Sequence, residues 1–181
     1  MRFVAWLAAT EGSIALHESL YMYTLVESVH VIAIMLFAGT IAMVDLRLLD
    51  RAFTDTPVSE MTARILPWTV AGFAVMALSG LLLFYAIPVR TYHSVWFRLK
   101  LALIVVAALN IWFFHRRVQR DRARWDREEI PPRGARIAAA ISLAAWTGVI
   151  VAGRMIAYDW ADCGKPQPAW IDWLAQCPGG G

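Results

Sequence analysis

LYMYTLVESVHVIAIMLFAGTIAMV, residues 20–44, decides the fold. A transmembrane helix needs about 20 predominantly apolar residues, and this run supplies them. It also carries Glu27 and His30, which lie one helical turn apart on the same face of a helix. Charged groups in hydrocarbon cost roughly 2.5–3.5 kcal/mol each for Asp, Lys or Arg on insertion scales, so an intramembrane ionisable group reads first as a functional site with a partner. The question the stretch poses is what answers Glu27.

Three further stretches are long and apolar enough to span: residues 65–87, 95–114 and 136–158. With 59% hydrophobic and 17% charged residues, the 181-residue chain is a polytopic membrane protein rather than a soluble domain. Short connections favour antiparallel neighbours, so the expected fold is all-α, an integral membrane up-down four-helix bundle. The expected organisation is an interfacial N-terminal segment (1–18), the transmembrane domain (19–160) and a C-terminal tail (161–181). The run Phe3–Ala9 is too short to cross, and Glu11 interrupts it before it could serve as a signal peptide. Pro67 is expected in the first turn of span two and Pro88 at its close. Residues Asp121 to Glu129 are expected to extend span three as a charged helix until Pro131 and Pro132 stop it.

Arginine sets the orientation. The third connection carries Arg116, Arg117, Arg120, Arg122, Arg124, Arg127 and Arg133, whereas the second carries only Arg90 in the loop itself. The positive-inside rule makes the third connection cytoplasmic, which places both termini in the periplasm of a bacterial inner membrane. The arginine cluster thus reports topology, and no nucleic-acid partner is expected. Tyr21, Tyr23, Tyr85, Tyr92, Trp96, Tyr158 and Trp160 fall at the outer ends of the spans, as an interfacial aromatic belt would. In the outer tail Cys163 and Cys177 read as a disulfide closing a loop of about 15 residues, with a thiol metal site as the alternative.

Small residues supply a packing code. Ala140, Ala144, Gly148 and Ala152 recur every four residues in span four, and Gly72, Met76 and Gly80 form a looser row in span two. Counting about 1.5 Å per residue from the outer boundary puts Glu27, Lys100 and Arg154 each roughly 6–11 Å inside the membrane, with His30 just below. Four ionisable groups on three helices therefore share one layer, Glu27 with Lys100 and Arg154 as compensating charges. Taken singly, Lys100 or Arg154 could instead snorkel outward along its own stem. Near the cytoplasmic boundary Asp45, Arg47, Arg64 and His115 form an expected ion-pair set.

Together these residues carry a resemblance. The pattern Ser19 to Tyr21, Glu27-x-x-His30, Gly39, Asp45-Leu46-Arg47-Leu48-Leu49, then Leu66-Pro67-Trp68, Gly72-Phe73, Gly80-Leu81-Leu82, Phe97-Arg98-Leu99-Lys100, Asn110, Phe114-His115, Trp146 and Gly153-Arg154-x-Ile156-Ala157-Tyr158 resembles a family of small bacterial four-span inner-membrane proteins without a settled activity. The resemblance covers about Ser19 to Tyr158 and implies architecture, with Glu27, His30, Lys100 and Arg154 as motif positions. In layout the chain is more distantly similar to the copper-resistance D family and to four-helix b-type cytochrome modules, which ligate haem with histidines inside a bundle.

Spacing constrains a haem b site. Bis-histidine ligation needs two imidazoles at one depth on facing helices, and His30 and His115 lie roughly 15 Å apart in depth. His17 and His93 match each other just outside the boundary, and could hold haem, Cu or Zn with Glu18 or Asp159. A His30–Met76 pair is the remaining haem alternative. No phosphate-cradling glycine loop, Cys-x-x-Cys or nucleophile elbow is present. The imidazole and carboxylate could instead relay protons or hold a quinone. Three functions stay open: a membrane redox module binding haem b, quinone or both; a non-catalytic accessory, anchor or assembly subunit that docks a membrane-protein partner or a second copy; and a small proton-coupled carrier.

Overall fold

The computed structural model describes residues 2–118, 126, 130–158 and 168–177. Four helices are long and apolar enough to cross a membrane: α3 (Met22–Leu48), α4 (Val58–Ala86), α6 (Val95–Phe113, continued by a π-helical turn, Phe114–Val118) and α7 (Arg133–Tyr158). The chain is a multi-pass membrane protein. Short helices frame the spans: α1 (Arg2–Ala8), α2 (Glu11–Glu18), α5 (Pro88–His93) and α8 (Ala169–Ala175). Large apolar side chains such as Leu78, Leu81 and Leu109 point away from the bundle, as lipid-facing groups must, and small residues such as Ala33, Ala139 and Ala152 fill its interior.

The bundle is built from two helix pairs. α3 packs along α4, and α6 along α7. In the first pair Gly72 brings the backbones together: a Cβ there would lie 3.0 Å from the Phe37 amide nitrogen and 3.2 Å from its Cα. In the second, Asn110 Nδ2 donates to the Ala138 carbonyl at 2.8 Å, and Gly148 receives the tip of Leu103. The pairs join through α3 and α7. Phe37 meets Trp146 edge-on at 4.7 Å, and a core of Leu48, Val58, Ala135 and Ala139, flanked by Val44, Leu49 and Phe114, closes the Asp45 end. At the Glu27 end the pairs meet where Phe84 of α4 stacks on Phe97 of α6, ring centroids 5.5 Å apart, and a cavity lies between them.

Several expectations need correction. The buried seam of α7 is Ala135, Ala139, Ala145, Val149 and Ala152, whereas Ala140 and Ala144 are exposed. Steps of four gain about 40° per step on a 3.6-residue helix, so the expected stripe winds off the interface, while a seam that mixes steps of four with steps of three or six stays on it. α4 starts at Val58, not 65, and runs through Pro67, which stands inside the helix at the loss of one backbone hydrogen bond. Its true start is fixed by burial of Val58 and Met61 and by Asp126, which accepts from the Ser59 amide at 2.8 Å and from the Ser59 hydroxyl. Pro88 does not merely close α4: it is buried and opens α5. Of the extension expected over Asp121 to Glu129, all but Asp126 lies outside the described residues.

Because Asp126 satisfies donors at a helix N-terminus, Asp126→Ala should cost about 0.5–2 kcal/mol. Thermal unfolding in detergent should show this as a lower Tm, and an unchanged Tm would remove Asp126 from its capping role.

The N-terminal segment folds back onto the Glu27 end. Thr10 Oγ1 and the Tyr85 hydroxyl lie 2.8 Å apart, Ser13 Oγ donates to the Tyr85 carbonyl at 2.7 Å, and Gly12 leaves room for the Tyr85 ring. Tyr85 is thus an anchor for α2 rather than a member of an aromatic belt. Tyr21 and Tyr158 are exposed as a belt requires, and Trp160 lies outside the described residues. α8 docks beside α5, with the Tyr92 hydroxyl donating to Gln176 Oε1 at 2.9 Å. Cys177 is disulfide-bonded, while Cys163 lies outside the described residues.

Candidate functional site

The cavity between the helix pairs has a volume of about 720 Å³, within the range of small-molecule sites. Glu27 and His30 reach it from α3, Lys100 from α6 and Arg154 from α7. Four ionisable residues spread over the sequence therefore do share one cavity. Their partners within it differ from the expected ones.

His30 is buried, and its Nδ1 lies 2.9 Å from Ser79 Oγ. Ser79 has one hydroxyl hydrogen, and its Oγ lies 2.6 Å from the Val75 carbonyl, which can only accept. Ser79 therefore accepts from His30 Nδ1–H, an assignment made from the hydrogen-bond network, and this leaves Nε2 with a lone pair in the neutral ring. Gly80 makes the placement possible: a Cβ there would come within 3.1 Å of His30 Cε1. In the sequence Gly80 reads as part of a helix-packing row, and nothing there marks Ser79 as the histidine's partner.

Glu27 is half-buried and forms no hydrogen bond or ion pair among the described residues. Arg154, expected to compensate it, is exposed and turns to its own helix, where Nη2 donates to the Tyr158 hydroxyl at 2.5 Å and the guanidinium sits 4.8 Å from the ring centroid. Residues four apart are neighbours on a helix, so Tyr158 offers Arg154 both an oxygen and a ring face at no cost in fold. The snorkelling alternative describes Arg154. It does not describe Lys100, whose stem crosses toward α7 so that Nζ lies 3.5 Å from where a Cβ of Gly153 would be. Lys100 too forms no hydrogen bond or ion pair among the described residues. Arg90, Thr91 and Phe97 also line the cavity; α5 brings the first two there, and nothing in their local sequence marks them.

The other expected site residues do not assemble. Met76 does not line the cavity; it meets His30 through its backbone. His17 is exposed and meets Tyr23 edge-on at 6.4 Å. His93 turns instead to the Ala175 carbonyl, with Nδ1 at 2.8 Å. Glu18 is exposed, Asp159 lies outside the described residues, and those residues contain no group of three or more His, Cys, Asp or Glu able to hold a metal.

At the Asp45 end the expected ion-pair set breaks up. Arg64 pairs with Glu60 at 2.6 Å on the surface of α4, and His115 Nδ1 bonds the Ile111 carbonyl at 2.9 Å. Asp45 and Arg47 are buried, but residues two apart leave a helix in different directions. Arg47 Nε donates to the Thr56 carbonyl at 2.8 Å and Asp45 faces Ser142. Asp45 Oδ2 and Arg47 Nη1 have no hydrogen-bond partner among the described residues.

The model of DUF6644, a family of unknown function, matches residues 3–159. The chain belongs to this family. No curated protein and no solved structure matches it. The DUF6644 match takes in all four spans together with Glu27, His30, Lys100 and Arg154. It names no chemistry, so function rests on the cavity itself.

Proposed function

We propose that the protein is a small membrane redox module that holds a quinone headgroup in this cavity, with the Glu27 end facing the periplasm of a bacterial inner membrane. The observation that carries the reading is a cavity of about 720 Å³ in which Lys100 and Glu27, beside His30, form no hydrogen bond or ion pair among the described residues. A quinone presents two carbonyl acceptors, and Lys100 is a donor with no acceptor among the described residues. A quinol presents two hydroxyls, for which the Glu27 carboxylate and His30 Nε2 are acceptors. Oxidation of a quinol would pass its two protons to these groups, and its two electrons to a redox centre on a partner membrane protein. The arginine-rich third connection supports the orientation.

A six-coordinate haem b fits the cavity less well. His30 is the sole imidazole lining it, and neither Met76, His17 nor His93 lies opposite. The test is to extract protein purified in mild detergent, quantify bound quinone, and record a spectrum after dithionite reduction. Quinone near one per chain, with no Soret or alpha band, is the expected result; protein that carries haem and no quinone would overturn it.

A second reading has its own observation. Ala140 and Ala144 leave a smooth outward face on α7, which suits close approach by another helix. An accessory or anchor subunit would use that face, and co-purification of a membrane partner lost on Ala144→Phe would support it.

A further inference from the structure

The cavity extends well beyond its charged layer. From Glu27 it follows one face of α3 through Val31, Ile34 and Ala38 to Ala42, opposite Val149 and Ile150 of α7. Fifteen residues of helix span about 22 Å. Below His30 the α3 wall carries no polar side chain, and its far end is made of Ala38, Gly39 and Ala42. Gly39, Val31 and Ile150 are exposed, and a Cβ built on Gly39 meets nothing within 4 Å, so this part of the slot opens toward lipid along its side. One cavity thus has ionisable groups at one end and a long apolar slot, open to lipid along its side, leading away from them down α3.

We infer that the slot between α3 and α7 holds the hydrocarbon tail of the ligand whose headgroup lies at Glu27, His30 and Lys100, so that the ligand class is a long-chain polyisoprenoid quinone. This rests on the quinone reading above and adds to it where the tail runs and that it must be long. Lipid is as apolar as the slot, so the tail gains little hydrophobic free energy by leaving the bilayer for it; what the slot offers is close contact along a wall of small residues, Ala38, Gly39 and Ala42. A short-chain quinone would fill only the charged end.

The test uses the full chain in phosphatidylcholine nanodiscs and benzoquinone probes with a diazirine either beside the ring or at the end of a long prenyl chain. The ring-side label is expected on peptides containing Glu27 and Lys100. The chain-end label is expected on those containing Ala38–Ala42 and Val149–Ile150, and Gly39→Trp should cut it about tenfold, as overpacking of a fitted site does. Should that variant fail to fold, Ala42→Leu narrows the same slot with a smaller side chain. Chain-end label spread over lipid-facing peptides around Leu78 and Leu109, with ring-side label still at Lys100, overturns the tail assignment and leaves the quinone reading standing. An end-labelled phosphatidylcholine that marks Ala38–Ala42 undisplaced by excess quinone also overturns it, giving the slot to bilayer lipid. Ring-side label absent from the cavity overturns the quinone reading, and the tail assignment with it.

Discussion

Gly72→Leu is expected to prevent the bundle from assembling, leaving no monodisperse protein in detergent. In lipid, helices are not driven together by the hydrophobic effect, so their association depends on close contact between backbones and on van der Waals packing. The α3–α4 pair is the most extensive in the fold, and Gly72 sits at its closest approach. A new Cβ would stand 3.0 Å from the Phe37 amide nitrogen and 3.2 Å from its Cα, with Leu36 Cγ at 3.3 Å. The first two are backbone atoms, which cannot rotate aside. Overpacking typically costs 1–3 kcal/mol, so Gly72→Ala should lower stability by about that amount and leucine by more. The damage would spread, because Phe37 also contacts Phe73 and Trp146, and through Trp146 links the two helix pairs. Gly148→Ala provides the comparison: its Cβ would meet Leu103 Cδ1 at 2.8 Å, the far end of a flexible side chain that can move. Size-exclusion profiles and thermal unfolding should therefore rank parent, Gly148→Ala, Gly72→Ala and Gly72→Leu in falling order. A Gly72→Leu protein that elutes and melts like the parent would show that α3 and α4 do not approach so closely.

How far these features could be read in the sequence depends on whether one helix or two are needed to see them. The spans follow from apolar run length alone, and counting depth along them is enough to place Glu27, His30, Lys100 and Arg154 in a common layer, which is where the cavity opens. Depth says nothing of rotation about the helix axis. Arg154 shares the layer yet turns to Tyr158, and Ala140 shares a four-residue repeat with Ala152 yet lies on the other side of the seam. Partners far apart in the chain were equally hidden. Ser79 reads as one more small residue of span two until α3 brings His30 against it, and Asp126 reads as one charge among many until it meets the first turn of α4, whose start Pro67 disguised. Interfacial tyrosine placement describes Tyr21 but not Tyr85, since only the folded-back α2 shows that Thr10 and Ser13 occupy it.

Lys100→Met should abolish quinone retention while leaving the protein as stable as the parent or more so. An ionised lysine in a membrane helix costs roughly 2.5–3.5 kcal/mol on insertion scales, and here no hydrogen bond or ion pair among the described residues offsets it. Methionine keeps much of the stem and removes the charge, so the fold loses a liability. The ligand loses its donor, and a hydrogen bond to a charged group is worth about 1.5–3 kcal/mol, or roughly tenfold to more than a hundredfold in affinity. Glu27→Gln separates the same two roles for the carboxylate. Were Glu27 the counter-ion that locks α3 to α7, its loss would leave a buried cation unpaired and cost about 3–5 kcal/mol. Arg154 instead has Tyr158, and Glu27 contacts neither cation within ion-pair distance, so Glu27→Gln should shift stability by no more than about 0.5 kcal/mol. Its effect should fall on the quinol, whose hydroxyl proton the amide cannot take up. Quinone content per chain, binding of a reduced against an oxidised short-chain analogue, and Tm measured on one preparation decide between the roles. A Lys100→Met protein that melts well below the parent would show that the ammonium holds the bundle together, and a cavity built to meet a ligand would then be the wrong account of why Lys100 and Glu27 have no ion pair among the described residues.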